Sequence, residues 1–276
     1  MINVFFFKVT LVLYLAGTVA YLIYLLFMHE RTAWAGRLLL GLGFLSHCLT
    51  LVMRYIEAGH TPVVNLHESL SFFSWAIVGS FFIFHYRYRV DIMGALISPL
   101  ALLLIIWAAT LPKAVIPLPP SLRSYWLPIH TTFAFLGNAI FAVAFCSGVM
   151  YLIQERLVKS KRVGPLSKRL PSLEVLDEIN YRSLTIGFPL LTIGIVTGSI
   201  WAEYAWGSYW SWDPKETWSM ITWLLYAALL HQRLAVGWRR KKAAIMAIVG
   251  FGAILFTFLG VNLLLEGLHS YSEWFR

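Results

Sequence analysis

Residues 206–218 read Trp-Gly-Ser-Tyr-Trp-Ser-Trp-Asp-Pro-Lys-Glu-Thr-Trp, between two long apolar runs. Trp206, Trp210 and Trp212 fall within seven residues, and Asp213-Pro214-Lys215-Glu216 closes the block. A membrane–water interface takes scattered indoles, whose flat amphipathic rings sit at headgroup level. A dense block at one depth builds a wide aromatic surface that suits a large planar ligand. Asp213 followed by Pro214 also has the form of a helix N-cap with proline at the first helical position.

Eight histidines supply the titratable chemistry. His130 opens one apolar run and His269 follows the last, both on the side of the tryptophan block. Two imidazoles facing across an aromatic shelf form the axial set that a haem iron takes. His47 and His231 lie inside apolar runs, ten residues from Arg37 and eight from Arg239 respectively. At ~1.5 Å per helical residue both sit roughly 12–15 Å from the same surface, where a second pair of ligands would meet haem. A lone intramembrane histidine also serves as an interhelical hydrogen-bonding group, and scattered tryptophans as an interfacial belt. The coincidence of two pairs at two depths favours ligation. His29 and His85 sit beside arginines at span ends and His60 in a loop turn. His67 lies next to Glu68 on the side of the block.

These residues need a frame, and composition supplies it. The chain has 276 residues, 59% hydrophobic and 13% charged, with mean hydropathy +0.71. A soluble domain of that length cannot hide so much apolar surface, so lipid is its solvent. Apolar runs near 6–28, 34–54, 68–86, 92–111, 128–153, 183–203, 218–236 and 243–264 predict an all-α, polytopic membrane helix bundle with eight transmembrane helices. The run after Lys8 is too long for a signal peptide and lacks a small-x-small cleavage site, so it reads as the first span. Sixteen of the 22 lysines and arginines fall in alternate connections, from Arg31 to Lys242, which places those connections in the cytoplasm. Both termini, the tryptophan segment 201–218 and the Pro-rich 112–128 loop are then extracytoplasmic. The net charge of +9 thus sets topology, and no nucleic-acid partner is implied. The chain reads as a single membrane domain, 1–276, with a cytoplasmic basic loop at 154–182 carrying a short amphipathic segment. Cys48 and Cys146 form neither a CxxC pair nor a metal cluster and read as packing residues.

The block W-G-x-x-W-x-W-D at Trp206, Gly207, Trp210, Trp212 and Asp213, continued by Pro214-Lys215-Glu216-Thr217-Trp218, resembles the WWD signature of the CcsA/ResC family of cytochrome c biogenesis proteins. Arg54-Tyr55, Gly59-His60, Asn65 to Leu70, Gly260-Val261-Asn262 and Gly267 to Tyr271 are similar to further family elements. The resemblance implies haem b held at an outer site between His130 and His269 against Trp206, Trp210, Trp212 and Asp213, with a membrane pair at His47 and His231. The resemblance further implies a CcsB/ResB-type partner and an apocytochrome c with a CxxCH motif, to which haem is attached covalently. By charge, Lys215 and Arg123 are candidates to pair with the propionates, and Lys215 reads equally as a solvated loop lysine. Whether this chain alone forms the thioether bonds stays open. The expected location is a bacterial plasma membrane, with a plastid thylakoid membrane as the alternative. His67 stands where the family usually has tyrosine, which makes it an alternative ligand. Three other readings stay open: haem delivery to a chaperone, as in proteins similar to CcmC; di-haem membrane electron transfer; and a transporter unrelated to haem whose histidines relay protons.

Overall fold

A computed structural model describes residues 2–115, 117–118, 123–161, 164–265 and 267. Every regular element among them is helical. Helix α1 spans Ile2–Phe27, α2 Glu30–Ala58, α3 Leu66–Tyr88 and α4 Gly94–Thr110, with a 3₁₀ turn at Asp91–Met93. The second half holds α5 Trp126–Lys159, α6 Pro165–Arg169, α7 Leu173–Trp206, α8 Pro214–His231, α9 Lys241–Leu255 and α10 Val261–Leu264. A π-helical turn, Gln232–Val236, continues α8, and a second, Phe256–Gly260, joins α9 to α10. The single domain expected over 1–276 is built as two compact units. One is Met1–Leu118 with Val163–Pro171, the other Pro119–Arg162 with Ser172–Arg276.

Seven helices among the described residues are long and apolar enough to cross a membrane. The eighth expected span, 218–236, differs: α8 is an 18-residue helix whose first turn carries Lys215 and Glu216. Those polar residues belong to the helix's cap, so helix and apolar run are out of step. The 154–182 connection is also shorter than hydropathy suggests. Helices α5 and α7 are 34 residues each, about 51 Å at ~1.5 Å per residue, against a hydrocarbon core of ~30 Å. Residues 154–159 therefore complete α5, and 173–182 open α7 behind a Ser172 cap that accepts the Val175 N–H. The helical patch at Leu173–Leu176 is the first turn of α7 rather than a separate surface segment. Exposed i,i+4 ion pairs, Glu155–Lys159 and Glu178–Arg182, solvate these extensions.

In the first unit α1 packs antiparallel on α2, and α4 on α1 and α3. The second unit is organised by α5 against α7, with α9 on α5 and α8 between α7 and α9. Small residues bring α5 and α7 together. A side chain added at Gly194 would meet the Ala134 backbone at 2.9 Å, and one at Gly137 the Leu191 nitrogen at 2.9 Å. Lipid drives helices together only weakly, so close backbone approach and dispersion hold such a pair. Tyr226 of α8 is fully buried, stacked 3.6 Å from Phe141 of α5.

Candidate haem-handling site

The tryptophan segment is the junction of α7 and α8. Gly207 ends α7 in the left-handed conformation (φ 73°), its N–H donating to the Glu203 carbonyl, as a C-terminal glycine cap does. Six residues later Asp213 starts α8 with Pro214 behind it, and its Oδ1 accepts the Lys215 N–H at 2.8 Å. Glu216 completes a capping box: its Oε2 accepts from the Asp213 N–H, and from the N–H and hydroxyl of Ser211 at 2.7 and 3.1 Å. One carboxylate thus gathers the whole loop. Trp212 pays for that compactness with φ 59°, an uncommon conformation for a bulky residue, and its indole stays 67% exposed.

His130, in the first turns of α5, lies in a slot made by α7. Its Nδ1 donates to the Gly194 carbonyl at 2.6 Å. A carbonyl only accepts, so Nδ1 carries the hydrogen and the neutral ring's lone pair belongs to Nε2. A methyl added at Gly198 would lie 2.5 Å from that Nδ1, so only glycine leaves room for the ring. Trp201 is parallel to the imidazole at 6.0 Å between centroids, and Trp206 meets Trp201 edge-on at 4.8 Å. His130, Trp201 and Trp206 form one aromatic series, of which Trp201 carried no sequence signal beyond its type.

Trp210 and Trp212 form a different surface. They meet edge-on at 6.0 Å and, with Thr192, Val196, Met220 and Trp223, line an apolar pocket of about 420 Å³. That volume lies in the range of small-molecule and cofactor sites. Thr192 and Val196 are each two residues from Gly194, about 200° around α7 at 3.6 residues per turn. With Ile195 beside them, they set the pocket on another side of α7 from Gly194; Trp206 meets Trp201, while Trp210 meets Trp212.

The remaining expected residues are placed as follows. His269 lies outside the described residues. Gly267, two residues before it in sequence, sits against Asp213 and Pro214 so closely that an added methyl would overlap the Asp213 carboxylate. Lys215 heads α8, ahead of the apolar run. Its ammonium is pushed down to about 8 by desolvation, with the Asp213 carboxylate working in the opposite direction. Arg123 is exposed in the connection before α5. His47 belongs to the first unit and is fully buried, with Nδ1 3.2 Å from the Tyr14 hydroxyl and Nε2 2.9 Å from that of Ser71. His231 belongs to the second unit, exposed at the end of α8 where the π turn begins. His67 is buried in the first unit, its Nδ1 donating to the Ala108 carbonyl at 2.7 Å. Arg54 and Glu68 form a buried ion pair beside it at 2.8 Å, with the Arg54 guanidinium also donating to the carbonyls of Lys113 and Ala114.

Comparison with known proteins places this architecture. The family model described as cytochrome C assembly protein matches residues 63–269. The cytochrome c biogenesis protein CcsA of Chlamydomonas reinhardtii is 42% identical over 242 residues, 85% of this chain and 67% of the relative. CcsA of Synechococcus elongatus is 38% identical over 85% of this chain and 86% of the relative. Among solved structures, the cytochrome c haem lyase CcmF superimposes with a TM-score of 0.70 at 18% identity, a likeness of fold. It covers 99% of this chain, which spans about half (48%) of that protein. The chain is a multi-pass membrane protein and belongs to the CcsA family of cytochrome c biogenesis proteins.

Proposed function

We propose that this chain binds haem at the junction of α7 and α8 and presents it for covalent attachment to apocytochrome c, in company with a CcsB/ResB-type membrane protein. The observation that carries the reading is the His130 slot. A histidine whose Nδ1–H is held by a main-chain carbonyl presents Nε2 as its basic nitrogen, the arrangement found behind metal-bound imidazoles. Trp201 and Trp206 extend the flat surface on which a porphyrin is held. His269 is the second axial ligand of the proposal, carried by the family's C-terminal segment that the chain shares. The histidine of an incoming CxxCH segment would replace one of the two, leaving the vinyl groups beside its thiols. Orientation then supplies most of the rate advantage. Lys215 pairs with a propionate.

The membrane pair, His47 and His231, keeps a conditional role. Iron binding at His47 requires the loss of a hydroxyl partner on whichever nitrogen is used. The proposal counts α8 with its π turn as an eighth span, supported by its packing between two helices that are themselves long enough to cross. Both termini and the tryptophan loop are then extracytoplasmic. The relatives come from cyanobacteria and algae, which favours a thylakoid location over a plasma membrane alone.

The functional test is maturation of a co-expressed c-type cytochrome. His130→Ala is expected to abolish covalent haem attachment, and imidazole in the medium to restore part of it. Undiminished attachment in His130→Ala would remove His130 from the reaction.

A further inference from the structure

Where the connection after α8 turns into α9, Arg239, Arg240, Lys241 and Lys242 set four cations in a row. All four are exposed, and among the described residues none of them forms an ion pair. Three of the four carboxylates at this end of α5 and α7 are engaged elsewhere. Glu155 holds Lys159, Glu178 holds Arg182, and Asp177 takes both terminal nitrogens of Arg233. The fourth, Glu174, is exposed in the first turn of α7. The loop that carries the cations is fixed. Asp177 also accepts the Arg240 N–H at 2.8 Å, the Trp238 N–H donates to the Gln232 carbonyl, and the Arg233 guanidinium lies over the Tyr181 ring.

Helix α9 continues the cluster as an apolar stripe. At ~3.6 residues per turn Lys241, Ile245, Val249, Gly252 and Phe256 fall on one side of the helix. All five are exposed, while Ala243, Ala244, Ala247, Phe251 and Ile254 are buried on the other side. A Cβ at Gly252 would meet nothing within 4 Å, so the stripe has a gap between Val249 and Phe256. From Lys241 to Phe256 is about 22 Å at ~1.5 Å per residue, which matches one leaflet of a ~40–45 Å bilayer. Leu234 and Val236, exposed just before the cations, add a second apolar patch beside them. Lys242 Nζ lies 4.9 Å over the ring of Trp238, an indole of the kind that sits at headgroup level.

We propose that this face of α9 binds one anionic phospholipid. Lys241 and Lys242 hold its phosphodiester, Arg239 and Arg240 rim the headgroup, and an acyl chain lies along Ile245, Val249, Gly252 and Phe256. Charge selects the headgroup, because a cation cluster without matching carboxylates is offset by an anion, whereas a zwitterionic lipid brings an ammonium of its own. The stripe selects lipid over free phosphate, because only an acyl chain reaches Gly252. Setting topology needs cations anywhere in this connection. The register of Lys241 with the apolar stripe goes beyond that need. The inference does not rest on the haem reading, since none of these residues belongs to the His130 series.

The test titrates the full-length, delipidated protein in detergent with phosphatidylglycerol or phosphatidylcholine, and native mass spectrometry counts the lipids bound. One phosphatidylglycerol is expected to bind about tenfold more tightly than phosphatidylcholine. Lys241→Gln with Lys242→Gln is expected to weaken it about tenfold, and Lys241→Arg with Lys242→Arg to retain it. Lys159→Gln with Arg182→Gln makes the same change of net charge at cations that are already paired, and is expected to leave binding unchanged. Gly252→Leu fills the gap in the stripe without touching a charge and is expected to weaken phosphatidylglycerol. Equal affinity for the two lipids would overturn the proposal, as would equal losses in the two Gln double variants. Binding indifferent to Gly252→Leu, or phosphatidylglycerol displaced by millimolar inorganic phosphate, would reduce the site to a headgroup contact and overturn it as well.

Discussion

At the residue scale, the account turns on how three side chains are held. A Cβ at position 198 would strike the His130 ring, so Gly198→Ala should tilt the imidazole off the Gly194 carbonyl and weaken iron binding. Gly187→Ala, which presses Phe141 on the same face of α7, serves as the packing control. The expected outcome is a changed haem absorption spectrum in the first variant alone. The divided tryptophans make a second prediction. Trp206→Ala should lower haem retention, because Trp206 belongs to the His130 series. Trp210→Ala should disturb the spectrum less, because Trp210 meets Trp212 and lines the pocket rather than the His130 series. Equal losses would mean that haem spans both surfaces. The third concerns Lys215, whose ammonium titrates at about 8. Its charge is complete below that pH and lost above it, so propionate pairing predicts haem affinity that falls as pH rises through 8. Lys215→Arg should remove that step in a binding titration, since guanidinium stays charged.

At the scale of elements, the WWD segment is a helix stop at Gly207, a five-residue loop and a helix start at Asp213. Asp213 as cap with Pro214 behind it could be read from residue types alone, since that pairing has a local cause. The role of Glu216 could not, because its bonds to Ser211 depend on the loop's path. Asp213→Ala should cost about 1 kcal/mol of local stability, the usual worth of an N-cap. Glu216→Ala should cost more loop order, read as faster proteolysis between Gly207 and Asp213, while Glu216→Gln retains acceptors and much of the order. The His130 slot was likewise hidden: its partner is a main-chain carbonyl 64 residues away, and no side-chain pattern announces it. Hydropathy located the long helices but not their ends. Water, unlike lipid, leaves no apolar signature on the projecting turns of α5 and α7.

At the scale of the whole molecule, alternation of basic connections carries the topology, and α8 decides the count of spans. With α8 crossing, cysteines placed at Tyr209 and at Trp238 should be labelled from opposite sides of a sealed vesicle by a membrane-impermeant maleimide. Labelling from one side would make α8 a re-entrant or surface helix and leave seven spans. The family and its all-helical architecture were legible in the WWD motif and the apolar runs. The division into two units was not, because its boundary at Leu118 and Pro119 falls in the Pro-rich 112–128 loop, which reads as one more connection between spans, and residues 163–171 return to the first unit.

The most direct measurement is the absorption spectrum, oxidised and reduced, of the purified protein and of His130→Ala and His269→Ala, each with and without imidazole. The account predicts a six-coordinate haem spectrum in wild type. It predicts haem loss in each variant and recovery of bound haem when imidazole fills the missing axial position. Variants that keep the wild-type spectrum without imidazole would contradict the bis-histidine site.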